Sequence, residues 1–281
     1  MNGAIPNIFK KEPPVTRLLH LLALLGILLG PNLPAIAQAG ESPFQILHGA
    51  IVRGDTSKPE LALVFTGDEY ADGGIYIADL LAAHNLKASF FLTGKFYQNP
   101  EFHTLIQTLL KAGHYLGAHS DQHLLYCSWE KRDSLLVTQE EFTGDLIENY
   151  RRMLAFGISK EDASLFLPPY EWYNDSIASW TRALGLQLIN HTHGTLSHAD
   201  YTVPGTRGYR SSNEIYQSIL DYELSVANGL NGFILLTHIG TVSERTDKFY
   251  FYLENLLKEL KLRGYCFQRV DELLGQTLQS L

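Results

Sequence analysis

Two histidines at i and i+4, His119 and His123 in the run His119-Ser120-Asp121-Gln122-His123, are the first residues of this chain whose types and spacing could do chemistry. On one face of a helical turn, two imidazoles can bind a single ion. A carboxylate at Asp68, which closes the apolar run Val64-Phe65-Thr66-Gly67, would complete a two-His, one-carboxylate set with open positions for water and substrate. Ser120 and Asp121 are expected to support the loop around these ligands. His238 ends another apolar run, Phe233-Ile234-Leu235-Leu236-Thr237. It lies too far along the chain to be a local ligand. Its charge change near neutral pH suits a general acid.

The elements that must position these residues follow from periodicity. Short apolar runs at 61–66, 88–92, 114–118, 164–167, 186–190, 232–237 and 265–268 read as strands. Between them, helical spacing appears at 75–84, 102–112, 138–156, 175–184, 214–228 and 249–262, with a closing helix at 271–278. Thr138 with Glu141 is a capping box that opens one of these helices. Such alternation predicts parallel βαβ units and an α/β fold, a barrel with about seven parallel strands. A doubly wound sheet is the alternative. Residues 40–59 are expected to cross or plug the barrel bottom, and 40–281 to form a single domain. Asp68, His119, Pro169-Tyr170-Glu171, His191, His193 and His238 all follow strand ends. In a barrel those loops converge on the face that hosts the active site. His191 and His193 share a face only if extended, so one is expected to point in and the other out.

Composition narrows the function classes. With 45% hydrophobic and 19% charged residues over 281 positions, the chain can bury one large core. Lys10, Lys11 and Arg17 precede the apolar run 18–29, and Ala35-Ile36-Ala37 and Ala37-Gln38-Ala39 follow it. That pattern predicts a signal peptide over 1–39, with no stable membrane span after its cleavage, and a secreted or periplasmic product. The formal charge is −8, and removing the leader's three basic residues and one acid leaves −10. Such an acidic domain is a poor partner for nucleic acid. Two cysteines, Cys127 and Cys266, are too few for a thiolate zinc site. Whether they pair is open to either answer at this level.

In this order, the residues resemble the polysaccharide deacetylase family, carbohydrate esterase family four. The resemblance spans roughly 61 to 274. Phe65-Thr66-Gly67-Asp68 stands for the family's T-F-D-D, and Lys87-Ala88-Ser89-Phe90-Phe91-Leu92-Thr93-Gly94 for the A-T-F-F segment that follows. His119 to His123 matches H-[ST]-x-x-H, Leu167-Pro168-Pro169-Tyr170 matches R-x-P-[YF], and Leu236-Thr237-His238 matches L-x-H. The resemblance implies a distorted (β/α) barrel with fewer than eight repeats, a glycan substrate, and hydrolysis of an acetyl amide or ester. It implies one divalent transition metal on Asp68, His119 and His123, zinc in the first place, with cobalt, manganese or nickel also compatible. It further implies an oxyanion contact from the Tyr170 backbone N–H and leaving-group protonation by His238.

The departures are specific. Gly67 stands where the family's general base is, and Leu167 where the Arg that pairs with it is. An Arg left without that carboxylate would be a costly buried charge, so the two losses belong together. The fourth motif, D-x-x-D-W, is not readable, and Asn190–Tyr201 holds three histidines and Asp200-Tyr201 instead. Glu69 and Glu171 are the acids that could replace the base, with Glu171 favoured because the fourth loop could face the attacking water from the vacated Arg side. A one-residue shift, with Asp68 as base and Glu69 as ligand, is a further option. Loss of the base also leaves open a non-catalytic carbohydrate-binding scaffold. Trp129, Trp172, Tyr170, Tyr173 and Tyr126 fall in the same loops, where aromatics stack on sugar faces or pack the loops.

Overall fold

The computed structural model describes residues 44–275, which fall within one compact unit, 41–281. The expected leader and the last residues of the expected closing helix lie outside the described residues. The centre of the fold is β3 (Glu60–Gly67), whose Leu61, Ala62, Leu63, Val64 and Phe65 are all buried. A strand buried on both faces reads as a continuous apolar run, which is why it is visible in the sequence. β3 pairs in parallel with β4 (Ser89–Leu92), β8 (Phe233–His238) and β9 (Cys266–Gln268). The parallel ladder continues through β5 (Tyr115–Ala118), β6 (Leu165–Phe166) and β7 (Gln187–Leu188). Strands β3 to β9 are the seven parallel strands.

Residues 45–53 correct one expectation. They form a hairpin, β1 (Gln45–Leu47) and β2 (Ala50–Arg53), and β2 joins β8 antiparallel, so the sheet is mixed and nine-stranded. This segment does not plug the barrel bottom. It helps close the sheet, because Ile51 bridges Ile189 just beyond β7 and Asn190 N donates to Ile51 O at 2.9 Å. Thr192 N donates to Ile234 O of β8 at 3.0 Å, and the Thr192 hydroxyl to Val52 O at 2.6 Å. The segment after β7 is thereby stitched between β2 and β8, and the curled sheet becomes a distorted barrel.

The covering helices are α1 (Gly74–Ala83), α2 (Gly94–Gln98), α3 (His103–Lys111), α4 (Gln139–Leu154), α5 (Asp175–Ala183), α6 (Ser212–Ser225), α7 (Leu253–Leu262) and α8 (Val270–Leu273). α1, α3, α4 and α5 lie within two residues of the expected bounds, and α6 ends three residues early at Ser225. The stretch at 249–262 begins instead as a 3-10 turn over Phe249–Tyr252. The five-residue α2 is too short to show a period. In α4 the capping box forms, acids occupy the first turn, and Arg151 and Arg152 occupy the last, complementing the helix dipole. Its inner face buries Phe142, Leu146, Asn149, Tyr150 and Met153. Asn149 is the one polar residue there, and it serves the site. Cys127 is buried and Cys266 exposed, and both thiols are free.

Candidate active site at the C-terminal rim

Asp68 directly follows β3. Its Oδ1 accepts from the Thr93 hydroxyl at 2.8 Å, and its Oδ2 lies 3.9 Å from the Lys95 ammonium. Thr93 also caps α2 by accepting from Phe96 N. The loop after β4 therefore fixes the acid at the end of β3.

His119 directly follows β5 and is held at two points. Its N–H donates to Asn149 Oδ1 at 2.9 Å, while Asn149 Nδ2 donates to Leu92 O at 3.3 Å. Its Nδ1 lies 2.8 Å from Leu167 O. A carbonyl can only accept, so Nδ1 carries the proton and Nε2 keeps its lone pair free. The expected helical turn at 119–123 does not form. Ser120 and His123 adopt left-handed φ of 73° and 57°, yet the two imidazole centroids stand 5.2 Å apart. Asp145 of α4 imposes this loop, accepting from the Ser120 hydroxyl, Asp121 N and Gln122 N at 2.6, 3.0 and 2.9 Å. Asp121 pairs with Arg152. Gly94 lies so close to Asp121 that any side chain there would overlap it.

On the fourth loop, Tyr170 and Glu171 both take left-handed φ, 58° and 52°. Two consecutive non-glycine residues in that region cost on the order of 1–3 kcal/mol each, strain that clusters at functional loops. The N–H groups of Glu171 and Trp172 donate to Pro168 O and Pro169 O. No acceptor among the described residues takes the Tyr170 N–H. Asn190 Nδ2 anchors the loop from the barrel seam through Glu171 O at 2.8 Å.

His238 is the last residue of β8, and Asp200 grips it twice. Asp200 Oδ2 accepts from His238 N at 2.9 Å, and its Oδ1 lies 2.6 Å from His238 Nδ1. The Tyr201 ring packs edge-on against the imidazole at 5.2 Å. Gly240 then allows the β8 loop to touch the β3 loop, where a Cβ would stand 2.5 Å from Ala71 N.

Asp68, Glu69, His119, His123, Tyr170, Glu171 and His238 all line one cavity of about 470 Å³. The three expected ligands, the expected acid, both candidate bases and Tyr170 are therefore on its wall. Burial, reinforced by the positive charge of His123, pushes His119 down to about 3, and burial with the charges of His238 and Lys95 pushes His123 to about 4. Both are neutral imidazoles at pH 7. Burial raises Glu171 to about 7, opposed by the nearby charge of His238. Burial would lower His238, but Asp200, by charge and hydrogen bond, and Glu171 together raise it. A carboxylate raised toward neutrality and an imidazole raised above its usual value now face one cavity, which is how a base and an acid are told apart. Glu69 is exposed on the rim.

The donor types suit a divalent transition metal: two neutral imidazoles, one with Nε2 free, and a carboxylate. As placed, no three His, Cys, Asp or Glu side chains among the described residues lie within reach of one ion. The positions of the missing pair are apolar. A Cβ on Gly67 would meet Ile239 and Leu92 at 2.8 Å and Phe96 at 3.0 Å, and Leu167 is fully buried.

His191 and His193 do not line this cavity. His191 is buried against Asn190 and stacks near His198, while His193 lines a separate cleft with Arg53 and Tyr222. Tyr126 and Tyr173 are core residues, Trp172 is half-buried under Arg132, and only Trp129 and Tyr170 of the five aromatics face the cavity. Sequence reading did not assign Asp200, Thr93, Asn149 or Asp145. The one available signal was Asp200-Tyr201 inside the stretch that lacked the fourth motif.

The polysaccharide deacetylase family model matches residues 53–189, which carry β3 to β7 and the Asp68, His119 and Tyr170 loops. This chain carries a polysaccharide deacetylase domain. It is similar to a peptidoglycan-N-acetylglucosamine deacetylase of Bacillus cereus, 28% identical over 199 residues, 70% of this chain and 80% of that one. Among solved structures, Bacillus subtilis PdaA, a family 4 carbohydrate esterase, superposes with a TM-score of 0.62 at 20% identity, covering 81% of this chain and 85% of that one. BA3943 of Bacillus anthracis, a pseudoenzyme of the same family, gives 0.61 at 20%, covering 82% and 70%. A family 4 acetyl xylan esterase of Clostridium thermocellum, in complex with a cobalt ion, gives 0.59 at 19%, covering 79% and 92%. These three superpositions speak to the fold, a (β/α) barrel, in which the deacetylase domain is a divergent one at Gly67 and Leu167.

Proposed function

We propose that this domain is an exported, metal-dependent deacetylase that hydrolyses an acetyl amide or ester on a polysaccharide or oligosaccharide, using Glu171 in place of the missing base. The observation that carries the reading is the pairing of a raised Glu171 with an Asp200-held His238 across one cavity. Asp68, His119 and His123 would hold one divalent metal, zinc in the first place, with cobalt, manganese or nickel as alternatives. Bound there, the ion would supply Lewis-acid polarisation of the scissile carbonyl and acidify water.

The chain's own groups divide the remaining work. Glu171, ionised above about pH 7, accepts the proton of the attacking water. The unpaired Tyr170 N–H donates to the oxygen on which negative charge develops. His238 enters protonated, keeps its Nδ1–H on Asp200, and gives its Nε2 proton to the leaving nitrogen or oxygen. Trp129 and Tyr170, both exposed at the cavity, offer faces for sugar rings. The leader pattern over 1–39 and the wall-directed names of the relatives support a secreted or periplasmic site of action.

The test is acetate release from acetylated chito-oligomers, peptidoglycan fragments and acetylxylan by zinc-loaded protein, with His238→Ala as the control. Release abolished in the variant supports the reading. Failure of metal-loaded wild type across that panel sinks it. A second reading, a carbohydrate-binding scaffold without turnover, is favoured by the apolar packing at Gly67, where a side chain would crowd Ile239, Leu92 and Phe96. It predicts glycan binding with no acetate released.

A further inference from the structure

Arg245, in the loop after β8, is the largest fully buried side chain of the described residues, 0% exposed. No carboxylate among the described residues forms an ion pair with it. A buried guanidinium without a contacting anion is expensive, so its surroundings should show what it is for. Nη1 donates to Thr202 O and to Arg210 O (3.1 Å), and Nη2 to the Ser212 hydroxyl at 3.2 Å. The guanidinium lies 5.5 Å over the Tyr209 ring, and its Nε–H has no partner. All these contacts are to one segment, 202–212. That segment is anchored in turn to the turn before Asp200, because Thr202 donates both its N–H (3.1 Å) and its hydroxyl (2.7 Å) to Ala199 O. Arg210 N closes the loop on the Thr202 hydroxyl at 3.0 Å.

Asp200 sits inside this clamp, and its two oxygens are the ones that hold His238. We propose that Arg245 is a positioning residue for His238: it clamps the segment that carries Asp200 and supplies the positive charge that balances the acids around the imidazole. Those acids come from separate elements, Asp200 on the clamped segment and Glu171 on the fourth loop. Tyr201 covers the ring from the Asp200 side, and the neutral imidazoles of His119 and His123 face it across the cavity. Arg245 is the buried cation that opposes the two acids, and its charge acts to lower the proton affinity of His238. A group that must release a proton in each turnover needs such an opposing charge, or Asp200 and Glu171 would hold it protonated.

The need for an opposing charge rests on the proposed acid role of His238, but the measurement needs neither bound metal nor turnover, so its failure is distinguishable from failure of the deacetylase reading. The experiment is an NMR titration of the His238 ring in wild type, Arg245→Gln and Arg245→Lys, following the titration midpoint and the low-field Nδ1–H resonance of the bond to Asp200. Arg245→Gln should raise the midpoint by about half a pH unit or more, the size expected of a unit charge acting at partly screened distance. Arg245→Lys should keep the midpoint, because it keeps the charge. It should also weaken or exchange-broaden the Nδ1–H signal, because one ammonium cannot span Thr202, Arg210 and Ser212. A staple with no influence on His238 would leave both readouts at wild-type values in folded variants, which overturns the proposal. If Arg245→Gln does not fold, a sharp wild-type Nδ1–H resonance in Arg245→Lys overturns it alone.

Discussion

In the proposed reading Glu171 is the base, and its burial has two consequences. As base it must be ionised, so the rate should rise with pH through about 7, and it should fall again above the raised value of His238. The pH–rate profile of acetate release should therefore be a bell whose acidic limb vanishes in Glu171→Gln. Stability carries the opposite sign. A carboxyl whose folded value lies near 7, against 4.5 unfolded, favours the fold fully below pH 4.5. That contribution is lost as the pH rises through 7. Glu171→Gln should thus stabilise the protein at pH 8, by about 2 kcal/mol, and change little at pH 4. Chemical denaturation at the two pH values measures this, and an equal effect at both would mean that Glu171 is not held in a desolvating site. Asp200→Asn removes the carboxylate that raises His238, so the alkaline limb should move to lower pH.

At the scale of elements, the 119–123 loop depends on one side chain of α4. Asp145 satisfies three donors of that loop, so Asp145→Ala leaves them unpaired and should cost about 1–3 kcal/mol. It should also weaken metal binding by about 10- to 100-fold, as loss of an orienting contact does. Calorimetric zinc titration of the folded variant checks this, and unchanged affinity would show that the loop holds its shape without α4. The strands and long helices were legible in the sequence because burial repeats with their period, as β3 and α4 do. So was the convergence of Asp68, His119, His123, Glu171 and His238 on one cavity, because strand ends in a barrel converge. Asp200 was not. Its partner is 38 residues away, with a long loop and α6 between them, so no local spacing marks the contact. The loop at His123 was misread as helical because i, i+4 spacing carries no information on the left-handed φ that the Asp145 bonds impose.

For the whole molecule, several histidines are buried neutral. His114 is pushed down to about 4 by burial, like His123, and His119 to about 3. Their folded values lie below the ordinary 6.5, so their contribution to stability is present above that pH and declines as the pH falls toward 4. Together they should cost several kcal/mol, since each tenfold loss of proton affinity is worth about 1.4 kcal/mol, and outweigh the opposite trend of Glu171. The urea midpoint of the metal-free protein should therefore drop clearly between pH 7 and 5, and a flat profile would contradict this picture of neutral buried imidazoles. The claim that unites the molecule is that a working base has moved from the Gly67 position to Glu171. It is tested most directly by acetate release at pH 8 from zinc-loaded wild type, Glu171→Gln and Glu69→Gln, with metal content measured in each. The account predicts that Glu171→Gln loses about 100-fold or more in rate at unchanged metal content, the size of a general-base contribution, while Glu69→Gln stays near wild type. An active Glu171→Gln, or an inactive Glu69→Gln that still holds its metal, would contradict it.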